Sequence, residues 1–238
     1  MSVADQLALI RDRISSAAHR AGRNPDDIAL MAVSKTFPAE AIVEAYTAGQ
    51  RLFGENRVRE FAEKFPAVAT LPDAHFHMIG HLQSNKAAKA VVIFHAIDSI
   101  DSAKLAQRLN DAAQKLDKAL GALIEINVGG EEAKSGLAPD SREIEAILSQ
   151  APEWKHLKIR GLMTVPPFTD DPEGARPYFR ELRQLRNSLA ARNFPNVTID
   201  VLSMGMSHDF EVAIEEGSTC VRIGTAIFGE RPRKTWSP

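Results

Sequence analysis

The chain has 238 residues, 44% of them hydrophobic and 25% charged, with a formal net charge of -2 at pH 7. That length fits two small domains or one α/β barrel around a single core, and the near-neutral charge supplies no global basic field to draw nucleic acid or anionic lipid. The lone Cys220 excludes an internal disulfide framework and fits a reducing cytosol.

The N-terminal stretch sets Leu7, Ile10 and Ile14 on one helical stripe, and its Asp5, Arg11 and Asp12 defeat a signal-peptide core. No apolar run reaches membrane-spanning length, so a soluble cytoplasmic protein is expected. "IALMAVSK" (28–35) is a continuous apolar run, the pattern of a strand covered on both faces. Pro38 suits the first turn of the next helix, whose face carries Ile42, Val43 and Tyr46 and which Gly49 ends. "RLFGEN" (51–56) is a second strand, followed by a helix using Val58, Phe61 and Phe65. "AHFHMIGH" (74–81) is a third, with a Lys/Ala-rich helix from Asn85, and "VIFHAIDSI" (92–100) a fourth, followed by Leu105, Leu109 and Leu116 at helical spacing. "ALIEINV" (122–128) is a fifth, with a helix over 141–148 after a Gly-rich loop. "KIRGLMTV" (158–165) is a sixth, before a long helix marked by Phe179, Leu182, Leu185 and Leu189. "TIDVLSMG" (198–205) and "CVRIGTAIF" (220–228) are the seventh and eighth, with a short helix near 210–216 between them.

Strand then helix, eight times over, is the order of a (β/α)8 TIM-type barrel with an extra N-terminal helix. A doubly wound open sheet has the same alternation, but no Gly-x-Gly-x-x-Gly turn follows the first strand. No linker-like stretch divides the chain, so residues 1–238 are expected to form a single domain.

In a barrel the C-terminal ends of the strands share one mouth. Lys35 ends the predicted first strand, Asn56 the second and His81 the third. Lys35 is either a rim lysine reaching water along its stem or an amine placed to form a Schiff base with a carbonyl compound. "SMGMS" (203–207) ends the seventh strand and "RIGT" (222–225) lies on the eighth. Gly205 and Gly224 would let backbone N–H groups approach an anion, Ser207 and Thr225 add hydroxyls, and a helix starting at "SHDF" would aim its first amides at a phosphate. The alternative is that these glycines only make turns and the serine only caps a helix. Arg222, expected to point inward, needs an acceptor: a salt bridge to Glu125, or a neutral heteroaromatic nitrogen, since guanidinium donates and does not accept. One small molecule carries a phosphate, a carbonyl for Lys35 and a ring nitrogen for Arg222: pyridoxal 5′-phosphate.

The stretches "AVSKTFP", "FGENRVRE", "FHMIGHLQSNK", "GLMTV", "LSMGMSHDFEVAIEEGST" and "VRIGTAIFGER" resemble, in order and spacing, those of the YggS/PROSC family of pyridoxal phosphate homeostasis proteins. The resemblance spans essentially the whole chain, with "PPFTDDPE" and the tail after Arg231 more individual. It implies a fold-type III barrel like the N-terminal domain of alanine racemase, with Lys35 as the covalent attachment site. It further implies Arg222 opposite the pyridine nitrogen, Ser207, Gly224 and Thr225 on the phosphate, and Asn56 beside the ring. Ser203 and Met206 would border the phosphate loop, and His81 would flank the ring or be a hydrogen-bonded structural histidine. The phosphate is expected to be gripped from across the opening relative to Lys35.

A bound cofactor does not establish catalysis. An arginine N–H opposite the ring nitrogen disfavours ring protonation and damps the electron sink. Racemases of this fold, as the resemblance implies, add a β-rich domain that brings a catalytic tyrosine across a subunit interface. This chain ends soon after its eighth strand, and Tyr46 and Tyr178 fall on outer helices. The expectation is a non-catalytic pyridoxal phosphate carrier, monomeric, with dependent apoenzymes as recipients and neither metal, nucleic acid nor membrane as partner. The alternative is a slow amino-acid racemase or lyase. The basic segments "SNKAAK", with Lys86 and Lys89, and "RPRK" (231–234) read as solvated faces, as a secondary anion site, or as a patch for nucleic acid or protein.

Overall fold

The apolar runs become short strands because each is covered twice, by barrel neighbours and by a helix layer outside. The computed structural model describes residues 1–131 and 134–230. Among them, eight strands run in parallel: β1 (Ala29–Val33), β2 (Leu52–Glu55), β3 (His75–Met78), β4 (Ala96–Ile100), β5 (Leu120–Glu125), β6 (Leu157–Met163), β7 (Val197–Ser203) and β8 (Cys220–Ile223). They close in sequence order, β8 pairing back to β1 with Met31 opposite Arg222 and Ala32 opposite Ile223. The barrel, not the open sheet, is the answer.

The helices are α1 (Val3–Arg20), α2 (Ala39–Thr47), α3 (Val58–Val68), α4 (Ala87–Ile93), α5 (Ala103–Gln114), α6 (Arg142–Gln150), α7 (Arg176–Ala190), α8 (Phe210–Glu215) and α9 (Thr225–Phe228). Local chemistry starts several of them. Ser2 and Asp5 form a capping box on α1, Ser102 caps α5, and Ser141 caps α6. The main core lies between strands and helices, where Phe53, Phe61, Phe76, Phe94, Trp154, Phe179 and Phe210 are fully buried. Phe61 stacks on Phe94 at 5.0 Å and meets Phe76 at 4.8 Å.

Several predicted strand ends lie elsewhere. The first and second strands stop at Val33 and Glu55, so Lys35 and Asn56 follow them. Residues 92 and 93 of the predicted fourth strand belong to α4, and β4 starts at Ala96. The third strand stops at Met78, so His81 lies beyond it, where Gly80 turns the chain against Asn56; a Cβ on Gly80 would stand 2.4 Å from the Asn56 carbonyl oxygen. The eighth strand stops at Ile223 and residues 225–228 are helical. Apolar periodicity cannot separate a short buried helix from a buried strand, and Gly224 is where the backbone changes course. Residues 231–234 lie outside the described residues.

Candidate functional site

At the C-terminal mouth, the turn after β1 carries Lys35, half-buried, and Thr36, whose φ of 69° is left-handed. A β-branched residue adopts that conformation only when its surroundings impose it. Here the Thr36 N–H donates to Glu60 Oε1 at 2.6 Å, and Lys64 Nζ donates to the Ser34 carbonyl (3.2 Å), the Phe37 carbonyl (3.0 Å) and Glu55 Oε1 (2.8 Å). Ser34 Oγ donates to the same Glu55 oxygen at 2.8 Å. Glu55 is fully buried, and burial pushes its carboxyl up despite the Lys64 ammonium beside it. Burial also works against the charge of Glu60, but the Thr36 N–H and the Lys64 charge outweigh it and hold that carboxyl low. The Lys35 turn is thus clamped by a polar cluster that the sequence reading did not single out. Its one legible sign was a carboxylate inside the apolar run "RLFGEN".

β8 supplies Arg222, which is buried inside the barrel. Its Nη1 donates to Ser203 Oγ at 2.7 Å and its Nη2 to the Thr164 carbonyl at 2.6 Å. Both acceptors are neutral. Glu125 does not close a salt bridge with it; Glu125 Oε1 instead accepts from Ser135 Oγ at 2.9 Å. Burial lowers the Arg222 pKa, but a guanidinium stays charged in a protein. Burial likewise pushes the Glu125 carboxyl up, against the Ser135 bond and the Arg222 charge, and its Oε2 has no hydrogen-bond partner. A mouth carboxyl with a raised pKa suits proton transfer, and this feature of Glu125 was not legible in sequence.

Beside Arg222 lies a cup of amides. Gly205, with φ 94°, brings its loop so close to α8 that a Cβ would meet Ala213 Cβ at 2.6 Å. Ser207 Oγ accepts from the backbone N–H of Gly224 at 3.4 Å and of Ala226 at 3.5 Å. Those distances are long for hydrogen bonds and leave both donors open to a stronger acceptor. Thr225 opens α9, so its hydroxyl stands at the same rim. Gly224 abuts β1, since a Cβ there would sit 3.3 Å from the Val33 carbonyl oxygen. The cup therefore stands on the strand next to the one bearing Lys35, not across the mouth, because barrel closure makes β8 and β1 neighbours. The short helix predicted near 210–216 is α8, which starts at Phe210. Residues 207–209 of "SHDF" form a turn and not its first helical turn, held by Asp209 Oδ1, which accepts the Met206 N–H at 2.6 Å.

Asn56 follows β2 with its Oδ1 buried and lacking a hydrogen-bond partner. Met206 is half-buried on the loop between β7 and α8. Ser203 is fully buried, and its hydroxyl is turned to Arg222. His81 stands on the rim with Nδ1 3.1 Å from Asp101 Oδ2. Lys86 and Lys89 share a cleft of about 390 Å³ with Asn56, Arg57 and Arg59. Tyr46 donates its hydroxyl to the Pro72 carbonyl at 3.0 Å, far from the mouth on α2, and Tyr178 sits on α7.

The chain matches the model of the alanine racemase N-terminal domain over residues 6–232. It is 46% identical over 231 residues to a protein of Aquifex aeolicus named pyridoxal phosphate homeostasis protein, covering 97% of this chain and 99% of that one. A protein of the same name from Escherichia coli K12 is 44% identical over 231 residues, covering 96% and 97%. Among solved structures, PipY of Synechococcus elongatus PCC7942, with pyridoxal phosphate (PLP) bound, superposes with a TM-score of 0.82 at 37% identity, covering 96% of this chain and 100% of PipY.

Proposed function

The chain belongs to the family of pyridoxal phosphate homeostasis proteins, built on the alanine racemase N-terminal domain, and from that membership we propose that it binds pyridoxal 5′-phosphate reversibly and serves in intracellular homeostasis of the cofactor, without substrate turnover. The residues at the mouth fit the group. Amides of Gly224 and Ala226 converge on one hydroxyl at long range, as donors awaiting an anion do. Arg222 is held by neutral oxygens and has N–H donors beyond the two they take. Asn56 keeps a buried oxygen without a partner beside Lys35's neighbour strand β2.

When bound, pyridoxal 5′-phosphate supplies an aldehyde that an amine captures reversibly and a ring that draws electrons. In this reading Lys35 is the attachment point, and the clamp of Glu55, Glu60 and Lys64 fixes the turn that carries it. Ser207, Gly224 and Thr225 hold the phosphate, with Met206 lining the loop above. Ser203 orients Arg222, which donates an N–H toward the ring nitrogen and keeps a proton off it. Asn56 flanks the ring. Arg222 is the observation that carries the non-catalytic reading: a fixed donor at that place weakens electron withdrawal, and Tyr46 and Tyr178 sit on α2 and α7, packed against the core. A soluble cytoplasmic monomer that hands the cofactor to dependent apoenzymes completes the proposal; among the described residues no helix is long and apolar enough to cross a membrane.

One observation favours a second reading, slow proton transfer on an amino acid: the raised pKa and partnerless oxygen of Glu125. One preparation tests both. The purified protein is expected to show a visible absorption band that borohydride removes, leaving the added mass on the peptide containing Lys35, and Lys35→Ala is expected to fold without the band. Absence of the band, or mass on another lysine, overturns the binding reading. Incubation with L-amino acids is expected to give no D-enantiomer; turnover at about 1 per second or faster, lost in both Lys35→Ala and Glu125→Gln, overturns the carrier reading.

A further inference from the structure

A TIM barrel normally fills its interior with layers of branched side chains. Here the floor, at the N-terminal ends of the strands, is built instead from Ala29, Ala96 and Gly121, the first or second residues of β1, β4 and β5. The result is a cavity of about 740 Å³ at the end of the barrel opposite Lys35. That is the size of a small-molecule site.

Its polar groups are of both signs and stand apart. Lys158 and Arg160 line it from β6, with Arg160 over the floor: a Cβ on Gly121 would meet Arg160 Cδ at 3.8 Å. Asp200 lines it from β7 and Asp98 from β4. Among the described residues, neither cation closes a salt bridge with either carboxylate. Asp98 is the telling group. It is 1% exposed, its Oδ2 is 3.2 Å from His77 Nδ1, and its Oδ1 is buried with no hydrogen-bond partner. A buried carboxylate oxygen without a donor costs free energy that an incoming donor recovers.

A single-sign ligand would satisfy one half of this lining and leave the other half opposed. A metal ion does not fit either, since no group of three or more His, Cys, Asp or Glu among the described residues is placed to hold one. Between the charges, Leu52, Leu123 and Val201 give an apolar wall. We propose that this pit binds a free aliphatic α-amino acid, with Lys158 and Arg160 taking its carboxylate, Asp98 and Asp200 its ammonium, and the alanine and leucine wall its side chain. The neutral rim donor is His95: its Nδ1 accepts the Phe76 N–H at 3.0 Å, which leaves the imidazole proton of the neutral ring on Nε2. The occupant would lie one inward-facing residue below Arg222, because Cys220 lines the pit and Arg222 is the next residue of β8 to face the interior.

The inference does not rest on cofactor binding, so its test is separable. The full chain, borohydride-reduced wherever it carries cofactor so that the upper site cannot exchange, is titrated with L-leucine while backbone amide NMR shifts are followed. Saturable shifts at Ala29, Gly121 and Cys220 are expected. 4-Methylpentanoate and 3-methylbutylamine, each lacking one charge, are expected to bind about tenfold or more weakly, the worth of one charge-assisted hydrogen bond. Arg160→Ala and Asp98→Asn should weaken L-leucine to a similar degree; Asp200→Asn carries the same expectation at an exposed position, should Asp98→Asn fail to fold. No saturable shift at those amides, 4-methylpentanoate binding as tightly as L-leucine, or Arg160→Ala and Asp200→Asn both leaving affinity unchanged would overturn the proposal.

Discussion

Thr36 shows how a single residue reports on the site. Its left-handed backbone costs a β-branched residue about 1–2 kcal/mol, and Glu60 and Lys64 hold the turn in that shape. Thr36→Gly removes the strain but adds about 0.5–1 kcal/mol of unfolded-state entropy. The net effect on the urea midpoint is expected to be neutral to slightly stabilising, whereas most substitutions on such a tightly bonded turn destabilise. A clear loss of stability would mean that the threonine side chain, and not the clamp, holds the turn. At this scale Lys35, Arg222 and the Gly/Ser segments stand out in the sequence as unusual residues near strand ends. Ser34, Glu55, Glu60 and Lys64 did not, because ordinary polar residues at irregular spacing become a cluster only when β1, β2 and α3 meet.

Strand packing turns on a few glycines. Gly161 sits in β6 opposite Val201, and a Cβ there would fall 1.9 Å from the Val201 carbonyl oxygen. Backbone cannot yield that much locally, so Gly161→Ala must push β6 and β7 apart just below Thr164, whose carbonyl receives Arg222. A loss of at least about 2 kcal/mol in chemical denaturation is expected. Gly121→Ala on the adjacent strand is the control, since its Cβ would make only ordinary contact with Ala96 Cβ at 3.5 Å. Equal stability of the two variants would contradict the packing account. The order and kind of elements were readable from apolar runs and turn residues. Their ends were less so: residues 225–228 carry a strand-like pattern yet form α9, because a stretch of four residues is too short to display the period that distinguishes the two.

Over the whole molecule, pH dependence follows from where the barrel buries its ionisable groups. Burial and the nearby Lys118 charge push His95 down to about 4 from the ordinary 6.5. The unfolded chain therefore binds more protons across that interval, and this contribution to stability is lost as pH falls from about 6.5 to 4. Glu125 and Asp209, raised mainly by burial, act in the opposite sense, their native forms favoured as pH falls. The difference between wild type and His95→Gln isolates the histidine: urea midpoints measured across this range should fall less steeply with acid in the variant. Parallel profiles would remove His95 from the account. The sequence by itself determined the alternation of strands and helices, the lysine just after the first strand, the inward arginine and the glycine- and serine-bearing loops, because each is written in neighbouring residues. Closure was decided only in three dimensions. Pairing β8 to β1 joins the two ends of the chain, sets the cup beside Lys35, gives Arg222 neutral partners from β6 and β7, and leaves a charged pit beneath. Such contacts depend on register between segments remote in sequence, and local periodicity carries no information about that register.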